Sequence, residues 1–223
     1  MNNFDQVVAR PRESVLTTNK VIRNTYMLLS LTLLFSAATA TLSYVMNWPH
    51  PGLLITLAGY FGLLFLTAKF RNSALGLVFV FALTGFMGLT LGPMINAYVN
   101  VYSNGSQLVA YALGATGVIF LGLSGYALTT RKDFSFLGGF LMAGILVAFI
   151  GGIAAAIFGW PMVSLAVSSM FVLLMAGLIL WETSNIIHGG ETNYIMATVT
   201  LYVTIYNLFT SLLHLLGAFA GED

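Results

Sequence analysis

The sequence contains no cysteine, and only 7% of its 223 residues are charged. Without cysteine the chain can form no disulfide, thiol nucleophile or thiolate metal site. A net charge of +1 gives no sign of nucleic-acid binding. Because so few charges accompany 58% hydrophobic residues, the composition excludes a soluble domain of this length and predicts a membrane protein.

Three long stretches of the chain contain no charged residue, namely 24–68, 72–130 and 134–181. Because a membrane helix needs ~20 apolar residues, each stretch has room for at least one span. The runs are long and do not alternate, which excludes a barrel. We predict an all-α membrane protein whose transmembrane domain, 25–218, contains seven helices, at 25–46, 53–69, 74–95, 107–129, 136–157, 162–182 and 196–218. A polar cytoplasmic tail, 1–24, precedes this domain and a short external C-terminus, 219–223, follows it.

The basic residues predict the orientation of the bundle. They lie in the N-terminal tail and in the second and fourth connections, whereas the first, third and fifth connections have none. Lysine and arginine are enriched in cytoplasmic loops, so the N-terminus is predicted to be cytoplasmic. Seven spans then place the C-terminus outside.

The last span carries polar residues at spacings of 4, 3, 4 and 3, which puts them on one face of a helix. A polar face is costly against lipid, so it is predicted to face protein or water. The other helices would then pack around this one. The face consists of Thr200, Thr204, Asn207, Ser211 and His214.

The first span has a second polar stripe, which we expect to face the last helix. Small residues spaced four apart, which let helices approach closely in lipid, recur on the third and fifth spans. The stripe comprises Thr32, Ser36, Thr39 and Ser43, and the small residues are Gly88 and Gly92, then Gly144, Ala148 and Gly152.

The connection before the last span has a helix stop followed by a helix start. Residues 188–190 (His-Gly-Gly) suit a glycine stop. Residues 191–193 (Glu-Thr-Asn) supply a cap and a negative charge for the next helix, which is the simplest account of Glu191. His188, near Glu182 and Glu191, is a candidate pH sensor because histidine titrates near neutrality.

Several segments resemble the Bax inhibitor-1 family, also called the transmembrane BAX inhibitor motif family. Its C-terminal signature is similar to residues 182–183 (ET), 190–195 (GETNYI), 201–202 (LY) and 207–209 (NLF). Its bacterial, YccA-like subgroup is similar to residues 23–26 (RNTY), 129–133 (TTRKD) and 135–139 (SFLGG). The resemblance covers the whole chain. It implies a seven-helix fold with the last helix central, surrounded by the other six, in the bacterial inner membrane.

The resemblance also implies a pH-sensitive calcium leak. In channel-like members two acids pair, and two close carboxylates can share a proton. Glu182 matches the first acid, whereas Thr204 stands at the second and Thr200 at a further acidic position of some members. Glu182 can instead be a hydrated carboxylate at the membrane boundary. The candidate ion-pathway and pH-sensing residues are Glu182, Thr200, Thr204, Asn207, Ser211, His214, His188 and Glu191, with calcium as the permeating ion and no bound metal or cofactor.

For the YccA-like subgroup, the resemblance implies interaction with and modulation of the membrane-anchored, ATP-dependent protease FtsH. This is the leading function, and the calcium leak is its alternative. The tail Met1–Arg23, fully extended, reaches ~75 Å at ~3.3 Å per residue, which is long enough for an unfoldase to grip. An ordinary disordered terminus fits the same features. The expected partners are membrane lipid, the FtsH complex and calcium ions, and the protease-handle residues are Arg10, Arg12, Lys20 and Arg23.

A remote alternative is an enzyme. Residues 122–125 (GLSG) and 214–221 (HLLGAFAG) look like the GxSG and HxxGxxxG elements of rhomboid intramembrane proteases. A Ser–His dyad needs hydrogen-bond contact, but the predicted topology separates Ser124 from His214 in depth by ~20 Å at 1.5 Å per residue. We therefore predict that the protein is not an enzyme.

Overall fold

A computed structural model describes residues 11–221 of the chain, with side chains from residue 20 onward. Within that range the regular secondary structure consists only of helices. Six of the helices are long and apolar enough to cross a membrane, and one, of 17 residues, is shorter. The α-helices are α1 (Pro11–Val45), α2 (Leu53–Lys69), α3 (Ala74–Val101), α4 (Gly105–Thr130), α5 (Gly138–Phe158), α6 (Pro161–Ile187) and α7 (Tyr194–Ala220), and a 3₁₀ turn, Ser135–Leu137, precedes α5.

The N-terminal helix begins well before the predicted start of the first span at residue 25. It is helical from Pro11, the first residue that the structure describes, and residues 12–24 contain neither proline nor glycine. The second half of the predicted tail is therefore helical. As a helix, residues 11–23 span ~20 Å, whereas the same residues fully extended would reach ~43 Å; residues 1–10 lie outside the described range.

Two later helices also extend beyond their predicted ends. The helix α3 continues through Pro93 to Val101, because neighbouring groups in a membrane bundle can satisfy the backbone that proline leaves unpaired. The helix α6 continues past residue 182 to Ile187. Its extra turn is held by Ser184, whose hydroxyl donates to the Lys132 carbonyl and accepts from the Phe134 amide, at 3.2 and 3.0 Å.

The last helix, α7, carries the largest set of buried side chains among those described. Its backbone packs closely against α1, α3, α4 and α6. The two remaining helices are attached through others, α2 through α3 and α5 through α6. The interior of the bundle is therefore built around α7.

Close helix pairs are formed by the predicted small residues. A Cβ added to Gly92 would lie 2.6 Å from the Ser43 side chain, and one added to Gly88 would meet Ser36 and Thr39. On α5, a Cβ at Gly144 would lie 2.6 Å from Leu174 of α6. The glycines therefore let α3 approach α1 and let α5 approach α6, as expected for small residues in lipid.

Candidate functional site

The polar face of α7 lies largely inside the protein. Thr204 is fully buried and donates to the Thr200 carbonyl at 2.7 Å. The Asn207 amide donates to the Val203 carbonyl at 2.8 Å, and Ser211 is buried. The helix backbone thus satisfies part of this face, while its remaining polar atoms are available to groups from neighbouring helices.

His214 forms its hydrogen bond with a serine that the sequence did not single out. Its Nδ1 lies 2.8 Å from the hydroxyl of Ser168 on α6. Ser124, the serine of the protease-like motif, is buried and has no hydrogen-bond partner among the described residues. The Ser124–His214 dyad is not formed in this structure.

Glu182 is buried inside the bundle, with only 2% of its surface exposed. Its Oε1 has no hydrogen-bond partner within the described part of the chain. Glu182 is thus enclosed by protein, and α6 continues for more than one turn beyond it, whereas its position relative to the membrane boundary stays a prediction. A buried carboxylate without a cation is expensive, so such a position is a candidate for function.

Three buried side chains have a polar atom with no hydrogen-bond partner among residues 20–221, and all three lie near the end of the bundle where α6 ends. They are Thr25, Ser124 and Glu182. Ser124 and Glu182 lie ~9 and ~8 Å before the ends of α4 and α6, at 1.5 Å per residue. Thr25 lies at a similar depth, because its carbonyl accepts from Thr198 in the first turns of α7, at 3.2 Å. Unpaired buried polar groups are rare and call for an explanation such as water, an ion or a reactive role.

The connection before α7 folds as a helix stop and cap, as predicted. Gly189 has a φ of +76°, and the Gly190 amide donates to the Asn185 carbonyl at 2.8 Å. The Asn193 side chain accepts from the amides of residues 195 and 196, at 3.0 and 3.1 Å. Glu191 accepts from the Asn193 amide at 2.7 Å, so both residues stabilise the start of α7.

His188 is exposed at the end of α6, where its Nδ1 lies 2.8 Å from the Ser184 carbonyl. Asp133 lies in the neighbouring connection and accepts a hydrogen bond from the Ser135 amide at 2.8 Å. Hydrogen bonds from the Ser135 backbone and side chain lower the pKa of Asp133, and His188 adds a smaller effect in the same direction. His188 thus lies near an exposed carboxylate, and its role as a pH sensor stays a prediction.

The exposed cations gather at the same end of the bundle, here called the basic end. They are placed by the N-terminal part of α1, by the α2–α3 connection and by the α4–α5 connection. Among the predicted handle residues, Lys20 and Arg23 are exposed, the side chain of Arg12 is not described, and Arg10 lies outside the described residues. The cations of the basic end are Lys20, Arg23, Lys69, Arg71, Arg131 and Lys132.

The polar stripe of the first span faces two helices, whereas one was predicted. Ser36 contacts the Tyr202 hydroxyl of α7 at 2.6 Å. Ser43 instead donates to the Leu89 carbonyl of α3 at 2.8 Å, and Thr39 lies against Gly88 of the same helix. The expectation for the stripe is therefore right for Ser36 and wrong for Ser43 and Thr39.

Two tyrosines of α7 were missed by the sequence reasoning. Tyr202 donates to the Thr84 carbonyl at 3.1 Å, and the hydroxyl of Tyr206 lies 2.9 Å from that of Thr90. Their spacing of four along α7 was a signal for a shared face. Because tyrosine also fits an apolar core, the spacing alone did not identify hydrogen-bonding partners.

An all-helical bundle with six spans of membrane length and an internal polar helix face defines a multi-pass α-helical membrane protein. Residues 18–221 match the family described as "Inhibitor of apoptosis-promoting Bax1". The chain therefore belongs to the Bax inhibitor-1 family.

Bacterial relatives match the chain over almost its whole length. It is 54% identical to the "Modulator of FtsH protease YccA" of Escherichia coli K12 over 222 residues, covering 99% of this chain and 100% of the relative. The same figures hold for the "Inner membrane protein YccA" of Escherichia coli O6:H1. An "Uncharacterized membrane protein" of Vibrio cholerae is 46% identical, with 95% of each chain covered.

Proposed function

We propose that this protein is an inner-membrane modulator of the FtsH protease, acting in the turnover of membrane proteins. The observation that carries the proposal is the 54% identity, over the full length of the chain, to the Escherichia coli protein of that name. A seven-helix arrangement with α7 at its centre is part of the same proposal. The close packing of α7 against α1, α3, α4 and α6 supports it.

The proposed orientation places the basic end in the cytoplasm and the opposite end outside. The exposed cations support this orientation through the positive-inside rule. Because the chain contains no cysteine, single cysteines can test it without background. Ser135→Cys is expected to react only with a reagent that reaches the cytoplasm, and Ser103→Cys with an impermeant external reagent. The reverse pattern would invert the proposed topology.

The proposed contact for the protease is the N-terminal end of α1. Residues 11–24 of this helix precede the predicted start of its span at residue 25, and 14 residues of helix are ~21 Å long. Lys20 and Arg23 are exposed there. A helical extension with free cations is a surface that another membrane-anchored protein can grip without unfolding the bundle.

The test is the degradation rate of a membrane-bound FtsH substrate in cells that lack the Escherichia coli relative. Expression of this protein is expected to change the substrate's half-life. Removal of Met1–Arg10, or the pair Lys20→Glu and Arg23→Glu, is expected to remove that effect. The pair Arg131→Glu and Lys132→Glu is the control, since it makes the same charge change on another connection. An unchanged half-life with the intact protein would overturn the proposal.

The second candidate function is a calcium leak along the polar face of α7. The observation that favours it is Glu182, a buried acid with an unpaired oxygen at the same depth as the unpaired hydroxyls of Thr25 and Ser124. The pathway proposed for it uses the residues named from the sequence, Glu182, Thr200, Thr204, Asn207, Ser211 and His214.

Calcium flux into liposomes containing the purified protein, between pH 5 and pH 8, tests the leak. A flux that Glu182→Gln alters or removes is expected if this carboxyl lies on the pathway. Asp133→Asn is the control acid, since Asp133 is exposed in the connection between α4 and α5. Absence of flux at every pH would reject the leak and leave the interaction with FtsH unaffected.

A further inference from the structure

A crevice of about 490 Å³ lies between α2 and α5. These two helices do not pack closely against each other, although the rings of Phe61 and Phe149 meet edge to face at 5.8 Å. Behind the gap, α3, α6 and α7 form the floor. The crevice thus reaches from the outer surface of the bundle to its innermost helix.

The crevice opens sideways, toward lipid. Its lips include Phe61, Met142 and Leu146, whose surfaces are 45, 66 and 60% exposed. Phe61 and Leu146 lie in the middle parts of α2 and α5, and Met142 lies one turn after the start of α5. Any occupant must therefore enter from the hydrocarbon layer of the membrane, which excludes water-soluble ligands.

Most of the crevice is lined by aromatic and aliphatic side chains, and its floor also contains three polar ones, Thr90, Tyr206 and Asn207. Asn207 lines the crevice at the midpoint of α7, ~20 Å from either end. Its amide nitrogen is bonded to the Val203 carbonyl, and no described residue donates to its side-chain oxygen. Beside it the hydroxyls of Tyr206 and Thr90 lie 2.9 Å apart. A free carbonyl oxygen at this depth has no water from the bilayer core to bind.

We propose that this crevice is a binding site for a small ring compound of the membrane interior that carries a hydroxyl group, the chemistry of an isoprenoid quinol. The ring packs among aromatic side chains, as apolar ligands do in pockets of about 300–1,000 Å³. Its hydroxyl donates to the Asn207 oxygen. The hydrocarbon tail leaves between α2 and α5 into the lipid.

Two other occupants fit less well. A transmembrane helix with a diameter of about 10 Å fills roughly 400 Å³ in each turn, so the crevice has room for about one turn of it. A phospholipid acyl chain fits the width, but its polar ester groups lie at the membrane interface and cannot reach Asn207. The quinol-like compound alone places a hydrogen-bond donor at the depth of the free oxygen.

The test uses a benzoquinol with a ten-carbon tail and a photoactivatable azide, added to the full-length protein in lipid nanodiscs. Equilibrium binding is measured first, and labelled peptides are then mapped by mass spectrometry. We expect labels on α2 and α5 residues of the crevice. The same compound with methylated hydroxyls lacks the donor and is expected to bind about fivefold more weakly, the loss expected for one hydrogen bond.

Two variants test the residues of the site. Asn207→Leu removes the acceptor and is expected to weaken quinol binding about fivefold while leaving the methylated compound unaffected. Met142→Trp fills the mouth of the crevice from an exposed position and is expected to weaken both compounds about tenfold. Leu113→Trp is the matched control, since Leu113 is 56% exposed and lines a separate crevice beside α1.

Labels spread evenly over lipid-facing residues would overturn the proposal, because they would mean an ordinary lipid contact. Equal binding of the two compounds would overturn the role of Asn207. Size-exclusion chromatography of each variant separates loss of the site from loss of the fold. None of these outcomes depends on FtsH or on calcium flux.

Discussion

The hydroxyl groups of Tyr202 and Ser36 lie 2.6 Å apart and join α7 to α1 in the interior of the bundle. The same tyrosine hydroxyl donates to the Thr84 carbonyl of α3 at 3.1 Å. Ser36 must then donate to Tyr202, because the tyrosine proton is already used. One phenol therefore connects three helices inside the bundle.

Replacing Tyr202 with phenylalanine removes both hydrogen bonds and keeps the ring. We expect the free energy of unfolding to fall by about 1 kcal/mol, as for other hydrogen bonds between membrane helices. Unfolding by sodium dodecyl sulfate from mild detergent measures this change. Tyr111→Phe is the control, since Tyr111 is 62% exposed. Equal stability of the two variants would show that the hydrogen bonds of Tyr202 to Ser36 and Thr84 do not stabilise the fold.

Gly88 allows the closest approach of α3 to α1. A Cβ at this position would meet the backbone of Ser36 as well as its hydroxyl, the latter at 2.9 Å. Because backbone cannot rotate away, Gly88→Ala is expected to cost about 1–3 kcal/mol, the range for overpacking. Gly122→Ala on α4 meets no atom within 4 Å and is expected to be neutral or to stabilise by up to about 1 kcal/mol. Thermal unfolding of the two variants in parallel measures the difference in stability. An equal midpoint for both would contradict the close approach at Gly88.

Asn193 is the side-chain cap of α7. Asn193→Ala is expected to destabilise the protein by about 1 kcal/mol, the usual cost of losing such a cap, while Asn193→Asp retains the acceptor. Asn104 occupies the corresponding position of α4 but makes no side-chain cap bond, so Asn104→Ala is the matched control. Hydrogen exchange of the first-turn amides of α7 and α4 reports each cap directly. Faster exchange in α4 than in α7 after these changes would contradict the assignment.

Ser168 and Ser124 provide a second matched pair, because both are buried and only Ser168 has a hydrogen-bond partner, His214, within the described chain. Ser168→Ala leaves the imidazole nitrogen unpaired and is expected to cost about 1 kcal/mol. Ser124→Ala removes an unpaired hydroxyl and is expected to be neutral or stabilising. Chemical denaturation of both variants measures the difference. A larger loss of stability for Ser124→Ala than for Ser168→Ala would indicate that a ligand or water binds the Ser124 hydroxyl.

The sequence was sufficient for the class of fold, because the absence of charge over long stretches leaves few alternatives to membrane helices. It also predicted the cap at Asn193 and the close approach at Gly88, which depend on local chemistry. The partner of each hydroxyl could not be predicted in this way. Helical spacing places Ser36 and Ser43 on one face, but the crossing of α1 over α3 and α7 decides which helix each contacts.

The end of α6 at the basic end was also misplaced, for a physical reason. Polar residues such as Ser184 end a helix in many soluble contexts because they compete for backbone groups. Here Ser184 instead binds the connection before α5, so α6 continues and encloses Glu182. The burial of that carboxyl is a tertiary effect, and the crevice beside Asn207 is another, since it depends on how far α2 stands from α5.

Of the seven described α-helices, α7 has the most buried side chains and is synthesised after the other six. Until α7 leaves the ribosome, the hydroxyls of Ser36 and Ser168 lack their partners, Tyr202 and His214. The six earlier helices therefore precede α7 into the membrane, and the packing of α1, α3, α4 and α6 against it is completed only after α7 is inserted. A chain truncated before α7 lacks the partners of these two hydroxyls. A prematurely terminated product therefore differs from the longer chain in having unpaired hydroxyl groups inside the bilayer.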